Sequence, residues 1–390
     1  MTFDAFVAPL GEARFMAEHY GRTPLHLPAA AERFTFAWSR VNDLLGLASH
    51  WTPGNLKLVL NSRAIEPAFF MDDVDTADGR VRRADPAKVD VFLGLGASLV
   101  ANSVEEVAPE IAAVCAMLGQ RFAGLANANI YCSFDNVQAF ATHYDPHEVF
   151  AVQCDGEKIW RLYENRADTP LGQGGETQAE IDAARGRVTH EVLMRPGDLL
   201  YLPRGIYHDA IAREGASLHV TFAVAPRPGV MLGPLIEAAM RLDPAFRAYL
   251  PAADDAGGAP FLRHLDELAG RLAAMVRSPQ FAIEVADAQR RAATPRHRVS
   301  LPARPAGVHY MRTDRPVELR RTPQGTVLIV DGRAQNLGPT FAATQWALSR
   351  PAFPETEMAA RFAHVPAAAR AQLIALLLRE GLVERYEPQL

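Results

Sequence analysis

From Asn127 to Val224 the sequence keeps to a period of two for almost a hundred residues. Stretches over 128–133, 138–143, 148–154, 158–163, 190–194, 198–202 and 216–224 are β-branched or aromatic and are divided by turn signals. Side chains of an extended strand alternate between two faces, so each of these strands has a face to bury. Many short strands at this spacing specify a sandwich or barrel, with room for a cavity.

The flanks read differently. Phe3, Phe6, Leu10 and Phe15 fit short amphipathic helices, and Leu25-His26-Leu27 alternates like a strand. A lone histidine such as His26 is read as structural. Asp72-Asp73-Val74-Asp75 and Arg80-Val81-Arg82-Arg83 read as solvated loop charges of paired sign. A helix is predicted over 103–124, with Ser103 and Glu106 as a capping box and Val107, Ile111, Val114 and Leu118 as its apolar stripe. After Pro226-Arg227-Pro228-Gly229 two apolar helices are expected, Met231–Arg241 and Phe261–Val276. Helices this apolar must cover their faces against the barrel or a second copy, which makes a homodimer the expected assembly.

A Pro- and Arg-rich linker over 295–305 leads into an α+β module. There Thr326–Val330, the turn Asp331-Gly332 and Arg333–Leu337 predict a hairpin. Phe341–Leu348, Glu357–Phe362 and Ala367–Arg379 predict helices, the last closed by Gly381. This order suggests a winged helix. Its eleven arginines against eight carboxylates leave a net charge of about +3, which does not predict direct nucleic-acid binding. The whole chain has a formal net charge of −5. Cys115, Cys132 and Cys154 are too few and too scattered for a disulfide framework or structural zinc, and fit free thiols in a reducing cytoplasm. The N-terminus lacks the basic start and apolar run of a signal peptide, and no apolar run is long enough for a membrane span, so no membrane association is expected.

The chemistry concentrates in the β region. His143 and Asp145 lie two apart, so one strand face would present an imidazole nitrogen and a carboxylate oxygen to one metal ion. A third ligand must return from a distant strand. In Arg195-Pro196-Gly197-Asp198-Leu199-Leu200-Tyr201-Leu202-Pro203-Arg204-Gly205-Ile206-Tyr207-His208, two turns frame a buried strand and deliver His208. Two histidines and one carboxylate form the facial triad of non-haem Fe(II) oxygenases, which leaves positions open for substrate and dioxygen. His147 shares the parity of His143, but Pro146 interrupts the strand, so it is placed at the pocket mouth. His190 and His219 are read as packing or supporting residues.

Asp155-Gly156 predicts a hairpin that folds 158–163 antiparallel to 148–154 and turns Lys158 inward beside the metal. A buried cation is costly unless an anion neutralises it, and a dicarboxylate cosubstrate would do so.

The motifs His143-Tyr144-Asp145, Glu148-Val149-Phe150, Gly156–Tyr163 and Tyr201–His208 resemble the JmjC-type cupins of the ribosomal oxygenase family. The resemblance implies a double-stranded β-helix, or jelly-roll, catalytic domain over 1–227, a helical dimerisation segment over 228–300 and a winged-helix-like domain over 301–390. It implies Fe(II) held by His143, Asp145 and His208, with 2-oxoglutarate as cosubstrate and dioxygen as oxidant. Lys158 would then meet the distal carboxylate of 2-oxoglutarate. Asn129-Ile130-Tyr131-Cys132-Ser133 is similar to a family strand that adds Asn129 and Tyr131 to this pocket, and Ser217–Thr221 is similar to one that adds Thr221. Pro146-His147 departs from the acidic residues that many members carry there.

The function implied is hydroxylation of an arginine or histidine side chain of a protein, with a ribosomal protein as the expected partner. Two other readings remain open on the residues alone. One is hydroxylation of a small peptide natural product or free amino acid. The other is a ligand-sensing barrel coupled to a DNA-binding winged helix.

Overall fold

Alternation along 124–226 becomes a set of long strands whose two faces meet different surroundings. The structure is a computed structural model that describes residues 1–31, 34, 36–47, 50–60, 62–77, 79–134, 140–293, 308–322 and 325–386. It contains two units, Met1–Gly233 with Arg277–Arg296, and Pro234–Val276 with His297–Leu390. The linker expected over 295–305 lies outside the described residues, as do 138–139 of the expected strand 138–143.

The strands of the first unit are β1 (Leu25–Leu27), β2 (Leu56–Leu60), β3 (Arg63–Ala64), β4 (Met71–Thr76), β5 (Gly79–Ala84), β6 (Ser98–Ala101), β7 (Gly124–Ser133), β8 (Glu148–Arg166), β9 (Val188–Met194), β10 (Leu199–Leu202) and β11 (Ile206–Pro226). All but β4 and β5, which pair with each other, form an antiparallel sheet in the order β1-β10-β8-β11-β7-β6-β2-β3, with β9 also paired to β8. β8 and β11 are each shared between two layers. The first half of β8 pairs with β10 and the second half of β11, while its second half pairs with β9 and the first half of β11. The layers face each other across a cavity lined from both halves.

The outer face of the larger layer packs under helices. Ala128, Ile130 and Cys132 of β7, Phe150 and Val152 of β8, and Leu218, Val220 and Phe222 of β11 join Phe3, Phe6 and Phe15 of the N-terminal segment in one core. The helix Pro109–Phe122 adds Ile111, Val114 and Leu118 to it. The intervening positions, Tyr131, Val149, His219 and Thr221, line the cavity. With both faces buried, the strand residues on the cavity side are free to carry polar chemistry only where they find partners.

Asp155-Gly156 does not make the expected hairpin. β8 runs unbroken from Glu148 to Arg166, and neither half pairs with the other. Instead Gly156 takes a positive φ of 60° and marks a kink. Opposite it, the register of β11 slips between Arg213 and Leu218, and again between Leu218 and His219. The face that points inward therefore changes from odd positions (Val149) to even ones (Lys158, Trp160) on β8, and from even (His208, Ala210) to odd (His219, Thr221) on β11. A one-residue shift reverses every side chain of a strand, so this kink is what turns Lys158 inward. A Cβ at residue 156 would collide with the Ala216 carbonyl oxygen.

Three further expectations are corrected. The helix expected over 103–124 is Pro109–Phe122: Pro109 takes the first-turn position, Ser103 adopts a left-handed conformation with no side-chain cap, and Val104–Glu106 is a 3₁₀ turn. The charged stretches 72–75 and 80–83 lie in the ribbon β4–β5 rather than in loop, their sign pairing realised as Arg82 Nε to Asp73 Oδ1 at 2.8 Å. His143 stands in an isolated bridge to His208, not in a continuous strand. A third helix, Pro279–Ala293, was not expected; it belongs to the first unit and buries Phe281.

The second unit holds the helix Ala259–Val276, in which no residue is fully buried. β12 (His309–Arg312) pairs between β16 (Ala352–Pro354) and β17 (Val383–Tyr386), while β13 (Glu318–Thr322), β14 (Gly325–Val330) and β15 (Arg333–Asn336) form a second sheet. The hairpin β14–β15 turns through Asp331 and Gly332, both at positive φ (48° and 77°), as a tight primed turn requires. Helices Phe341–Leu348, Glu355–Arg361 and Ala367–Arg379 supply Trp346, Met358, Leu373 and Leu377 to a core with Tyr310, Leu328 and Phe353. Among the described residues no helix is long and apolar enough to cross a membrane.

Replacing Gly156 by alanine combines a positive φ with a backbone collision, and should lower stability by at least ~2 kcal/mol. Urea denaturation of Gly156→Ala checks this; an unchanged midpoint would mean that the kink is not fixed by the glycine.

Candidate metal centre

The segment before β8 and the start of β11 are held together by backbone. His143 N–H donates to the His208 carbonyl at 3.0 Å, His208 N–H returns to the His143 carbonyl at 2.8 Å, and Gly205 N–H donates to the Asp145 carbonyl at 2.8 Å. Residues facing each other in such a bridge project their side chains to the same side. The ligand atoms of His143, Asp145 and His208 consequently lie within 4.8 Å of one another, with His208 Nε2 3.5 Å from Asp145 Oδ2.

Both imidazoles are oriented through their other nitrogen. His143 Nδ1 lies 2.9 Å from the Ala141 carbonyl, and His208 Nδ1 lies 2.9 Å from the Ile206 carbonyl. A carbonyl can only accept, so each Nδ1 carries the proton and each Nε2 keeps its lone pair for a metal. Burial, then the neighbouring His143, pushes His208 down to about 4 against the pull of Asp145, so it is neutral at pH 7. Burial raises the Asp145 carboxyl, but His208, His143 and His147 together outweigh it and hold the group below its ordinary value. Two imidazole nitrogens and one carboxylate converging on one point fit a divalent metal such as Fe(II).

Asp209 braces this arrangement from behind. Its buried carboxylate accepts from Thr142 Oγ at 2.8 Å, Tyr163 Oη at 2.6 Å and Arg161 Nε at 2.6 Å. Thr142 precedes His143 and Asp209 follows His208, so the network ties together the two ligand-bearing segments. The sequence reading missed it. Its signal was a charged residue inside the apolar run Ile206–Ile211.

Deeper in the cavity Lys158 is 2% exposed. Its Nζ donates to Ser133 Oγ at 3.1 Å and lies 3.4 Å from His219 Nδ1. No carboxylate among the described residues pairs with it, and burial pushes it down to about 7. Burial, then Lys158, also drives His219 well below its ordinary value, so His219 is a neutral acceptor. Tyr131 stacks on His219 at 4.7 Å and 4°. Burial, then Asp145, pushes its phenol up to about 12, with a hydrogen bond from Asn129 opposing, so Tyr131 remains a proton donor at neutral pH.

The cavity brings together His143, Asp145, His208, Lys158, Tyr131 and Thr221. Asn129 does not line it; its Oδ1 accepts the Ser103 N–H at 3.4 Å. His147 Nε2 lies 3.9 Å from Asp145 Oδ1, outside the three-residue ligand group. His26 bonds Asp198 at 2.9 Å, and His190 is exposed on β9. Trp160 was missed, although it follows Lys158 by two on the same strand face; it stacks on His208 at 5.6 Å and 24°. Cys115, Cys132 and Cys154 are free.

Residues 105–230 match the family model described as the JmjC domain. The chain carries a JmjC domain. Ribosomal oxygenase 1 of Gallus gallus is 29% identical over 299 residues, covering 72% of this chain and 47% of that protein. Ribosomal oxygenase 2 of Bos taurus is 32% identical over 231 residues, covering 57% and 47%. The chain thus spans less than half the length of these curated relatives. YcfD, an Escherichia coli ribosomal oxygenase solved in complex with cobalt and 2-oxoglutarate, superposes with a TM-score of 0.50 at 19% identity, over 96% of this chain and 97% of that one. A second YcfD structure gives 0.51 at 17%, over 97% and 99%. The likeness agrees with a JmjC cupin fold, and the motif resemblance to ribosomal oxygenases is borne out by these relatives.

Within the JmjC domain Asp209→Ala would leave Thr142, Tyr163 and Arg161 without their shared acceptor, at a cost of about 2–4 kcal/mol. Thermal unfolding should show a clear fall in midpoint. A wild-type midpoint would show that the brace contributes nothing.

Proposed function

We propose that this chain is an Fe(II)- and 2-oxoglutarate-dependent oxygenase that hydroxylates an arginine or histidine side chain of a protein, with a ribosomal protein as substrate. The observation that carries the reading is the complete ligand triad a short way from a buried lysine that has no counter-charge. A buried ammonium without an anion is unfavourable, and the distal carboxylate of a dicarboxylate answers it. Ser133, His219 and the protonated Tyr131 surround the same spot with groups able to orient that carboxylate. The names of the relatives and the cobalt and 2-oxoglutarate of the YcfD complex support the same assignment.

His143, Asp145 and His208 would hold the metal, with their Nδ1–carbonyl bonds fixing which nitrogen faces it. When bound, Fe(II) with 2-oxoglutarate and dioxygen supplies the oxidising power to hydroxylate an unactivated C–H bond. Lys158 and Tyr131 fix the far end of the cosubstrate, and Thr221 adds a hydroxyl to the same wall. Trp160 and Val149 exclude water from the centre. An intact triad beside Lys158 favours turnover over a sensing barrel.

The remaining assignments rest on less. A homodimer through the helical segment 228–300 is supported by exposed Leu242, Tyr249, Leu250 and Leu262. The order of strands and helices in 308–386 supports a winged-helix-like domain over 301–390 that serves packing or substrate docking. Free cysteines support a cytoplasmic setting.

His208→Ala should abolish succinate formation from 2-oxoglutarate, measured by mass spectrometry; turnover at the wild-type rate would sink the assignment. The lysine yields a test with two opposite signs. The ligand-free protein must protonate Lys158 before it can pair with a carboxylate, so 2-oxoglutarate affinity should weaken as pH rises above about 7. Lys158→Met removes an unpaired buried cation, so it should raise the melting temperature of the ligand-free protein while weakening 2-oxoglutarate binding at least tenfold. Calorimetric titration across pH 6–9 checks both, and a pH-independent affinity would contradict the pairing.

A further inference from the structure

In the cavity wall between the metal ligands and Lys158 is a side chain whose one polar atom has nothing to bond. Trp160 is 5% exposed. Among the described residues that line the cavity, its Nε1 is the one fully buried side-chain nitrogen or oxygen without a hydrogen-bond partner. Its neighbours are engaged: His143 and His208 at backbone carbonyls, Lys158 at Ser133 and His219. Trp51, equally buried, donates its Nε1 to the Leu44 carbonyl at 2.7 Å. A buried donor left unpaired loses its hydration without return, so it calls for an acceptor that the chain does not supply. Trp346 Nε1 is also unpartnered, but in the core of the second unit, so the missing partner alone decides nothing.

Place sets Trp160 apart. Its indole stacks on His208 at 5.6 Å and 24°, and meets His219, the neighbour of Lys158, edge-on at 5.5 Å and 76°. In the register of β8 with β11, Trp160 lies opposite Ala210, between Lys158 opposite Ala212 and Leu162 opposite His208. A ligand that spans from the metal ligands to Lys158 therefore passes it. Elsewhere the ring packs among Val149, Leu162, Met194, Leu200 and Leu202, whose side chains hold no nitrogen or oxygen. An oxygen acceptor can reach the N–H from the cavity and not from that apolar cluster.

We propose that the Trp160 indole N–H donates to an oxygen of the bound 2-oxoglutarate, which makes Trp160 a further anchor beside Lys158 and Tyr131. The proposal rests on the oxygenase reading and adds a binding residue to it. A hydrogen bond from a neutral N–H to a carboxylate oxygen is charge-assisted, and an apolar wall strengthens it. The bond also gives the cavity a donor that carries no charge and holds its proton at every working pH.

The test reads the N–H itself. The full chain, loaded with Zn(II) and labelled with nitrogen-15 at its four indoles, is followed by NMR as 2-oxoglutarate is added. The Trp160 signal is the one that Trp160→Phe removes. It is expected to move downfield as the ligand saturates, while the signals of Trp38, Trp51 and Trp346 stay in place. Calorimetry on the same Zn(II) protein should show Trp160→Phe, which keeps an aromatic ring but no donor, binding 2-oxoglutarate about tenfold more weakly. Should Trp160→Phe lose its melting transition, the signal is assigned by elimination from Trp38→Phe, Trp51→Phe and Trp346→Phe, and the shift alone decides. A Trp160 signal unmoved at saturating 2-oxoglutarate, or a folded Trp160→Phe with wild-type affinity, overturns the proposal and leaves the oxygenase reading standing. A wild-type protein that binds no 2-oxoglutarate overturns both.

Discussion

The change of face at Gly156 is the constraint on which the site depends. β8 and β11 each serve two layers, and each has to present its functional side chains inward in both. A regular strand keeps one parity throughout. The kink on β8 and the paired slip on β11 reverse parity in both strands at the same level, so that Lys158 and His208 face the same cavity as His219 and Thr221. Without the reversal, Lys158 would point away from the cavity and Glu157 or Ile159 would take its place. The glycine is needed because the backbone of Ala216 passes too close for any Cβ.

The metal centre is organised by backbone first and side chains second. Reciprocal hydrogen bonds between His143 and His208, with the bond from Gly205 to Asp145, bring three ligands from two distant segments to one place. Carbonyls of Ala141 and Ile206 then set the protonation pattern of both rings. Asp209 closes the frame behind them. The deeper half of the cavity follows a different principle, an unneutralised lysine supported by neutral donors and acceptors. Such a group costs stability in the absence of ligand, and the surrounding fold tolerates it because Ser133 and His219 satisfy part of its hydrogen bonding.

The cavity at the metal centre is small, and most of its lining is polar: Tyr131, His143, Asp145, Lys158, His208, His219 and Thr221 converge on it. Pro146-His147, where the sequence departs from the motif pattern it otherwise resembles, lies in the wall of a separate, broader cleft.

Read alone, the sequence determined the existence and approximate limits of most strands, the apolar faces of the helices Pro109–Phe122 and Ala367–Arg379, and the triad His143, Asp145 and His208. Those depend on periodicity and on residue types that few other roles require. It could not determine that Asp155-Gly156 is a kink rather than a hairpin, because the same dipeptide tolerates positive φ in either setting and the choice lies with β11. Nor could it reveal the Asp209 brace. Pairing is a property of distance in space, and only the tertiary structure decides which charges meet.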